Sequence, residues 1–163
     1  MRLVTIVLGL TFAAGGLGQA QEKGDKLGKR YTYELDDENY PQKSPQEALL
    51  SVAKAIGNKK IEYLLAHLAD PEFVDAKVAK YKKLIEGGKE EGKTLLAFQR
   101  LVKETREHFL EDPELVAELR RFAKEAEWKS EENTAMGSVK NIVGRHVFMK
   151  RVGDRWFLEQ RQR

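Results

Sequence analysis

Three histidines, at positions 67, 108 and 146, are the first residues to consider for chemistry in this chain. Glu104 and His108 stand four apart and His67 and Asp70 three apart, spacings that bring each pair onto one helix face, where two side chains could begin a metal site. Neither pair belongs to a helical signature such as H-E-x-x-H, and the sequence places no third ligand, so no metal is assigned. Both histidines fall near expected helix ends, where a cation is favoured by the helix dipole alone. Cysteine is absent, which removes thiolate nucleophiles, cysteine zinc sites and disulfides together. No G-x-S-x-G or G-x-G-x-x-G occurs, and Gly87-Gly88 is read as a helix stop. No catalytic residue and no cofactor are therefore assigned.

Binding is the better-supported chemistry. Val152-Gly153-Asp154-Arg155 predicts a β-hairpin with a two-residue type II′ turn, because glycine at the first central position supplies the positive φ. That turn pairs Arg151 with Trp156 and Met149 with Leu158. Val147, Met149, Trp156 and Leu158 then form a core face, and His146, Phe148, Lys150, Phe157, Glu159 and Arg161 the other. Phe148 and Phe157 become diagonal neighbours on the face the helices do not need, a surface to be covered by a second copy, by the N-terminal arm or by a helix. Trp128 and Trp156 either line a pocket for a small apolar ligand or sit in the core. The candidate surface is thus Trp128, His146, Phe148, Lys150, Trp156, Phe157 and Arg161.

The elements that must hold this surface are well punctuated. Ser44-Pro45-Gln46-Glu47 is a capping box with proline at the first helical position. Leu49, Val52, Ala53 and Ile56 follow at helical spacing, with Gly57 as the stop. Asn58 is expected to cap a second helix carrying Ile61, Leu64, Leu65 and Leu68. Asp70-Pro71-Glu72 opens a third, predicted to run to Gly87-Gly88, and residues 87–93 read as a loop. A fourth helix is expected from about Thr94, with Leu95, Phe98, Leu101, Val102 and Phe109 inward. Asp112-Pro113-Glu114 starts a fifth with Leu115, Val116, Leu119 and Phe122. After Ala126 the chain turns rich in β-branched and aromatic residues, predicting strands near 128–132 and 134–140 before the hairpin. The fold class is α+β: about five helices packed on one face of a small C-terminal antiparallel sheet.

The N-terminus differs from this body. Arg2 is the only charge in residues 1–20, and the apolar run 3–14 is too short to span a bilayer. Gly18-Gln19-Ala20 matches a small-x-small cleavage pattern. Residues 1–20 are expected to be a secretory signal peptide, the mature protein to be exported, and, without a cysteine after the run, no lipid anchor to form. Residues 21–43 read as a linker or arm, with Tyr31-Thr32-Tyr33 able to dock as a short extended piece; residues 44–163 form the domain.

Residues 44–75, residues 112–128 and the closing Gly153-Asp154-Arg155-Trp156-Phe157-Leu158 resemble a group of uncharacterised exported bacterial proteins. The element order and terminal strand are also similar to the nuclear-transport-factor-like (SnoaL-like, cystatin-like) cone fold. That second resemblance implies a sheet and helices that can enclose a pocket, a convex sheet face used for dimerisation, and in some members acid–base residues inside the cone.

The formal charge of +3 is too small for a nucleic-acid footprint. Position sharpens it: from Arg145 onward six cations face two carboxylates. A basic terminal hairpin is a candidate for an acidic polymer of the cell envelope. The function expected from sequence is an exported, non-catalytic binding module of unknown ligand, with its sheet as the surface for pairing with a second copy. A cone-fold protein for a small ligand, or less readily an enzyme, is the alternative.

Overall fold

The computed structural model describes residues 28–111 and 113–160. The signal-peptide and cleavage expectations, the Asp112 cap and Arg161 lie outside them. The described chain is α+β, with five helices followed by a four-stranded antiparallel sheet. Among the described residues no helix is long and apolar enough to cross a membrane.

A two-stranded ribbon comes first, β1 (Lys29–Arg30) paired with β2 (Tyr33–Glu34). Its turn residues Tyr31 and Thr32 both take positive φ, 50° and 78°, a backbone that usually falls to glycine or asparagine. Docking holds it there. The Tyr31 ring stacks on Phe98 at 4.2 Å, and its hydroxyl donates to Asp75 at 2.5 Å.

Helix α1 (Pro45–Gly57) begins as the sequence predicts. Ser44 accepts the Glu47 amide at 3.2 Å, and the Glu47 carboxylate reaches back to the amide of Lys43 at 3.1 Å. Ser44→Ala should cost about 1 kcal/mol in chemical denaturation, because it leaves an amide of the first turn without its acceptor. Ala48, Leu49, Val52, Ala53 and Ile56 are buried, and the helix packs on both α5 and β6.

Asn58 does not cap the second helix. Its amide closes α1 by donating to Lys54 at 3.0 Å, and Lys59 turns the chain at φ 59°. Helix α2 (Ile61–Tyr63) starts without a side-chain cap and widens into a π-helical turn, Leu64–Leu68, closed by the Ala69 amide on the Leu64 carbonyl. Asp70 caps α3 (Pro71–Lys82) through the Glu72 amide, as expected. This helix stops five residues short of Gly87. Leu84 and Ile85 fall into tight i→i−3 turns, leaving Leu84 64% exposed. Helix α4 (Glu90–Glu111) starts earlier than predicted, since Glu90 and Glu91 suit the positive end of a helix and Glu90 pairs with Lys82. Helix α5 is Pro113–Glu125.

The sheet runs in the order β3 (Glu127–Ser130), β4 (Thr134–Ser138), β5 (His146–Val152), β6 (Arg155–Leu158). The hairpin has the predicted register, Arg151 opposite Trp156 and Met149 opposite Leu158, with Gly153 at φ 64°. The outer edge of β6 is closed rather than free. The Trp156 amide donates to the Gln42 carbonyl at 2.9 Å, the Gln42 side chain donates back at 2.7 Å, and the Asp70 amide takes the Leu158 carbonyl at 2.9 Å. Residues 36–42 and the end of the π-helical turn therefore do for this strand what a fifth strand would.

Candidate functional site

A groove is bounded by the π-helical turn, α3, α4, α5 and the end of the sheet. Its inner part, open to solvent on one side, has a volume of about 380 Å³. Leu64, Leu65, Phe73, Leu101, Phe109, Leu119 and Leu158 line it, with Lys77, Tyr81, Glu104, Thr105 and His108 at the rim. An outer part of about 650 Å³ shares His108, Leu115, Leu119, Leu158, Glu159 and Gln160, so the two are continuous. The outer part extends over Phe122, Arg145, His146 and Phe148. The groove exists because α3 and α4 pack chiefly on each other, α3 meeting β5 at its first turn through Glu72, while α1 packs on β6. Three apolar helix faces meet there without closing.

The rim is ordered by charge. Tyr81 donates its hydroxyl to Glu104, whose other oxygen accepts from Arg100 Nε at 3.1 Å. The Tyr81 bond and the Arg100 charge hold the Glu104 carboxyl below its ordinary range, and the same bond raises the tyrosine. Glu104 is thus engaged with Tyr81 and Arg100. Among the described residues no group of three acidic, histidine or cysteine side chains could hold a metal ion.

The sequence-predicted surface divides. His146 and Phe148 line the outer groove, with the His146 ring edge-on to Phe148 at 6.3 Å and its Nδ1 3.0 Å from Ser138 Oγ. Phe157 is placed differently from expectation: it is fully buried, not exposed on a free sheet face. The reason is the closed edge of β6, which is flanked by α1 and by the π-helical turn, while Arg155 lies 5.3 Å from the Phe157 ring. Trp156 is buried on the opposite face. Trp128 stands on β3, the other outer strand, its ring 3.1 Å from where a side chain at Gly137 would begin. Two strands separate the tryptophans, so they do not frame a common pocket.

The basic hairpin is largely paired within the chain. Lys150 lies 2.6 Å from Glu72 and 3.4 Å from Asp70, and Arg145 pairs with Glu118. Arg155 pairs with Asp37 at 3.5 Å and donates to Gln42. Burial alone would lower the Lys150 pKa, but the Glu72 and Asp70 carboxylates outweigh it and hold it above the ordinary value.

Sequence reasoning found the apolar residues of the groove as helix faces, without the space between them. Phe73, Tyr81, Leu101 and Leu119 have the spacing of core residues, and nothing in that spacing says that three helices leave a gap. In comparisons with known proteins, no family model, no curated protein and no solved structure matches the chain.

Proposed function

We propose that this protein is a non-catalytic binding module that takes a small ligand with an apolar body in the groove between its helices and the end of its sheet. The observation that carries this reading is the groove itself: about 380 Å³ of mostly aliphatic and aromatic lining, with a few polar groups at one rim, is the size and make-up of a small-molecule site. Tyr81, Thr105, His108 and Gln160 are the groups that would orient the ligand's polar end. His146 and Phe148 line the outer part of the same groove and would extend the ligand surface. The pairing of Lys150, Arg145 and Arg155 within the chain favours an apolar ligand over an acidic polymer.

A fluorescent apolar probe tests it. N-phenyl-1-naphthylamine should bind saturably, near one per chain, with blue-shifted emission. Thr105→Trp, which places an indole into the groove from a half-buried position on α4, should weaken that binding about tenfold or more, a loss of ~1.4 kcal/mol, without lowering thermal stability. Non-saturable binding, or unchanged affinity in a folded variant, would rule the reading out.

A further inference from the structure

Residues 28–42 cross the body as a strap, and one imidazole holds them at the middle. His67, in the π-helical turn, is 1% exposed, and its Nε2 lies 2.9 Å from the Tyr33 carbonyl of β2. A carbonyl only accepts, so Nε2 carries the proton and Nδ1 is a bare lone pair. That atom is buried and has no partner. Around it stand Arg30 from β1 and Arg155 from β6, with Asp37 from the strap as the facing carboxylate and the Tyr63 ring at 5.0 Å from its own helix. The Tyr63 hydroxyl accepts the Asp36 amide at 3.0 Å, and burial raises its pKa, so it stays neutral. Both guanidiniums are already committed, Arg30 to Asp75 and the Pro71 carbonyl, Arg155 to Asp37 and Gln42. Their remaining buried nitrogens, Arg30 Nη1 and Arg155 Nε and Nη1, lack acceptors. A proton on Nδ1 would add a third positive charge beside two guanidiniums, at an atom that no hydrogen-bond partner reaches.

We propose that His67 is an acid-operated clasp: protonation of its buried imidazole releases residues 28–42 from the body and uncovers the outer edge of β6. Two further observations favour release of the strap rather than of the whole fold. The strap contains the positive-φ residues Tyr31 and Thr32, a strained backbone that docking holds. Its main-chain pairing with β6 is also brief, confined to Gln42 and Trp156, with Arg155 adding side-chain bonds to Asp37 and Gln42. Once free, it leaves the Trp156 amide and carbonyl available to another strand.

Burial, opposed by the Tyr33 carbonyl and reinforced by Arg155 and Arg30, holds His67 below its ordinary value of 6.5. The released strap leaves an ordinary imidazole, so the released state binds more protons. Docking therefore weakens as pH falls below about 6.5, by at most about tenfold per pH unit, until the docked imidazole itself titrates.

Hydrogen exchange of the full chain between pH 8 and 5, with rates corrected for intrinsic exchange at each pH, reads this directly. Residues 33–42 should lose protection on that slope while α1 and α4 keep theirs. His67→Gln, whose side-chain amide can still donate to the Tyr33 carbonyl, should flatten the slope. Constant protection of the strap, a parallel loss in α1, or an unchanged slope in the variant would overturn the proposal. If the variant does not fold, NMR titration of His67 in the natural chain decides instead. A pKa below 6.5 with strap resonances moving in step supports the clasp, and titration at 6.5 or above with a still strap refutes it.

Discussion

Phe157→Ala should lower the unfolding free energy by about 3–5 kcal/mol, while Phe148→Ala, two strand neighbours away on the same face, should cost roughly 1–2 kcal/mol. The hairpin register puts both rings on the side of the sheet turned from Met149 and Trp156, so position in the strand does not separate them. Burial does. Phe157 is 0% exposed and Phe148 half-buried at the groove. Alanine at 157 leaves a void beside Arg155, and the guanidinium that lay over the ring keeps its buried, unpaired nitrogens. Alanine at 148 opens a surface that already meets solvent. Urea denaturation of the two variants measures the gap. Equal small losses would mean that the β6 face is open, as alternation alone suggests; a loss at 157 several times that at 148 fits a strand covered on both sides. Against a total stability of about 5–15 kcal/mol, the larger value would leave the protein close to unfolding.

The pattern that misplaced Phe157 also marks how far this sequence can be read. Elements announced by local chemistry are where the residues put them: Ser44 and Asp70 cap their helices, Pro45 and Pro71 start them, and Gly153 turns the hairpin. Elements whose ends depend on the neighbouring fold are not. Asn58 has the chemistry of an N-cap yet closes the preceding helix, and α3 ends at Lys82 because the chain must turn to bring α4 alongside it. The strap is the extreme case. Tyr31 and Thr32 are poor choices for their backbone conformation, so no local rule predicts the turn, and only the remote partners Phe98 and Asp75 explain it. The groove was hidden for a related reason. A helix face that lines a cavity and one that fills a core have the same period, and the difference lies in how α3 and α4 pack chiefly on each other.

Phe98→Ala tests the packing of strap and body together. The ring is 1% exposed on α4, stacks on Tyr31 with the planes 6° apart, and meets Tyr33 at 6.1 Å. Its loss should cost about 3–5 kcal/mol in all, of which the aromatic stacking accounts for about 0.5–1.5 kcal/mol. Phe98→Leu separates the parts, since leucine restores most of the apolar volume without a ring face. A recovery of most of the stability in Phe98→Leu, with the strap still exchanging faster than α1, would assign the bulk of the effect to the core and the remainder to the stack. Tyr31 supplies an independent readout. Burial, with the Asp75 hydrogen bond and charge beside it, raises its pKa well above the ordinary value near 10. Removing the ring that covers one face admits water, so spectrophotometric titration of Phe98→Ala should show this tyrosine ionising at a lower pH than in the natural chain, while Asp75 still holds it above its ordinary value. If that titration is unchanged while stability still falls by several kcal/mol, Phe98 supports only the helices, and the strap is held by its other contacts, those of Arg30, Tyr31 with Asp75, His67 and Gln42 among them.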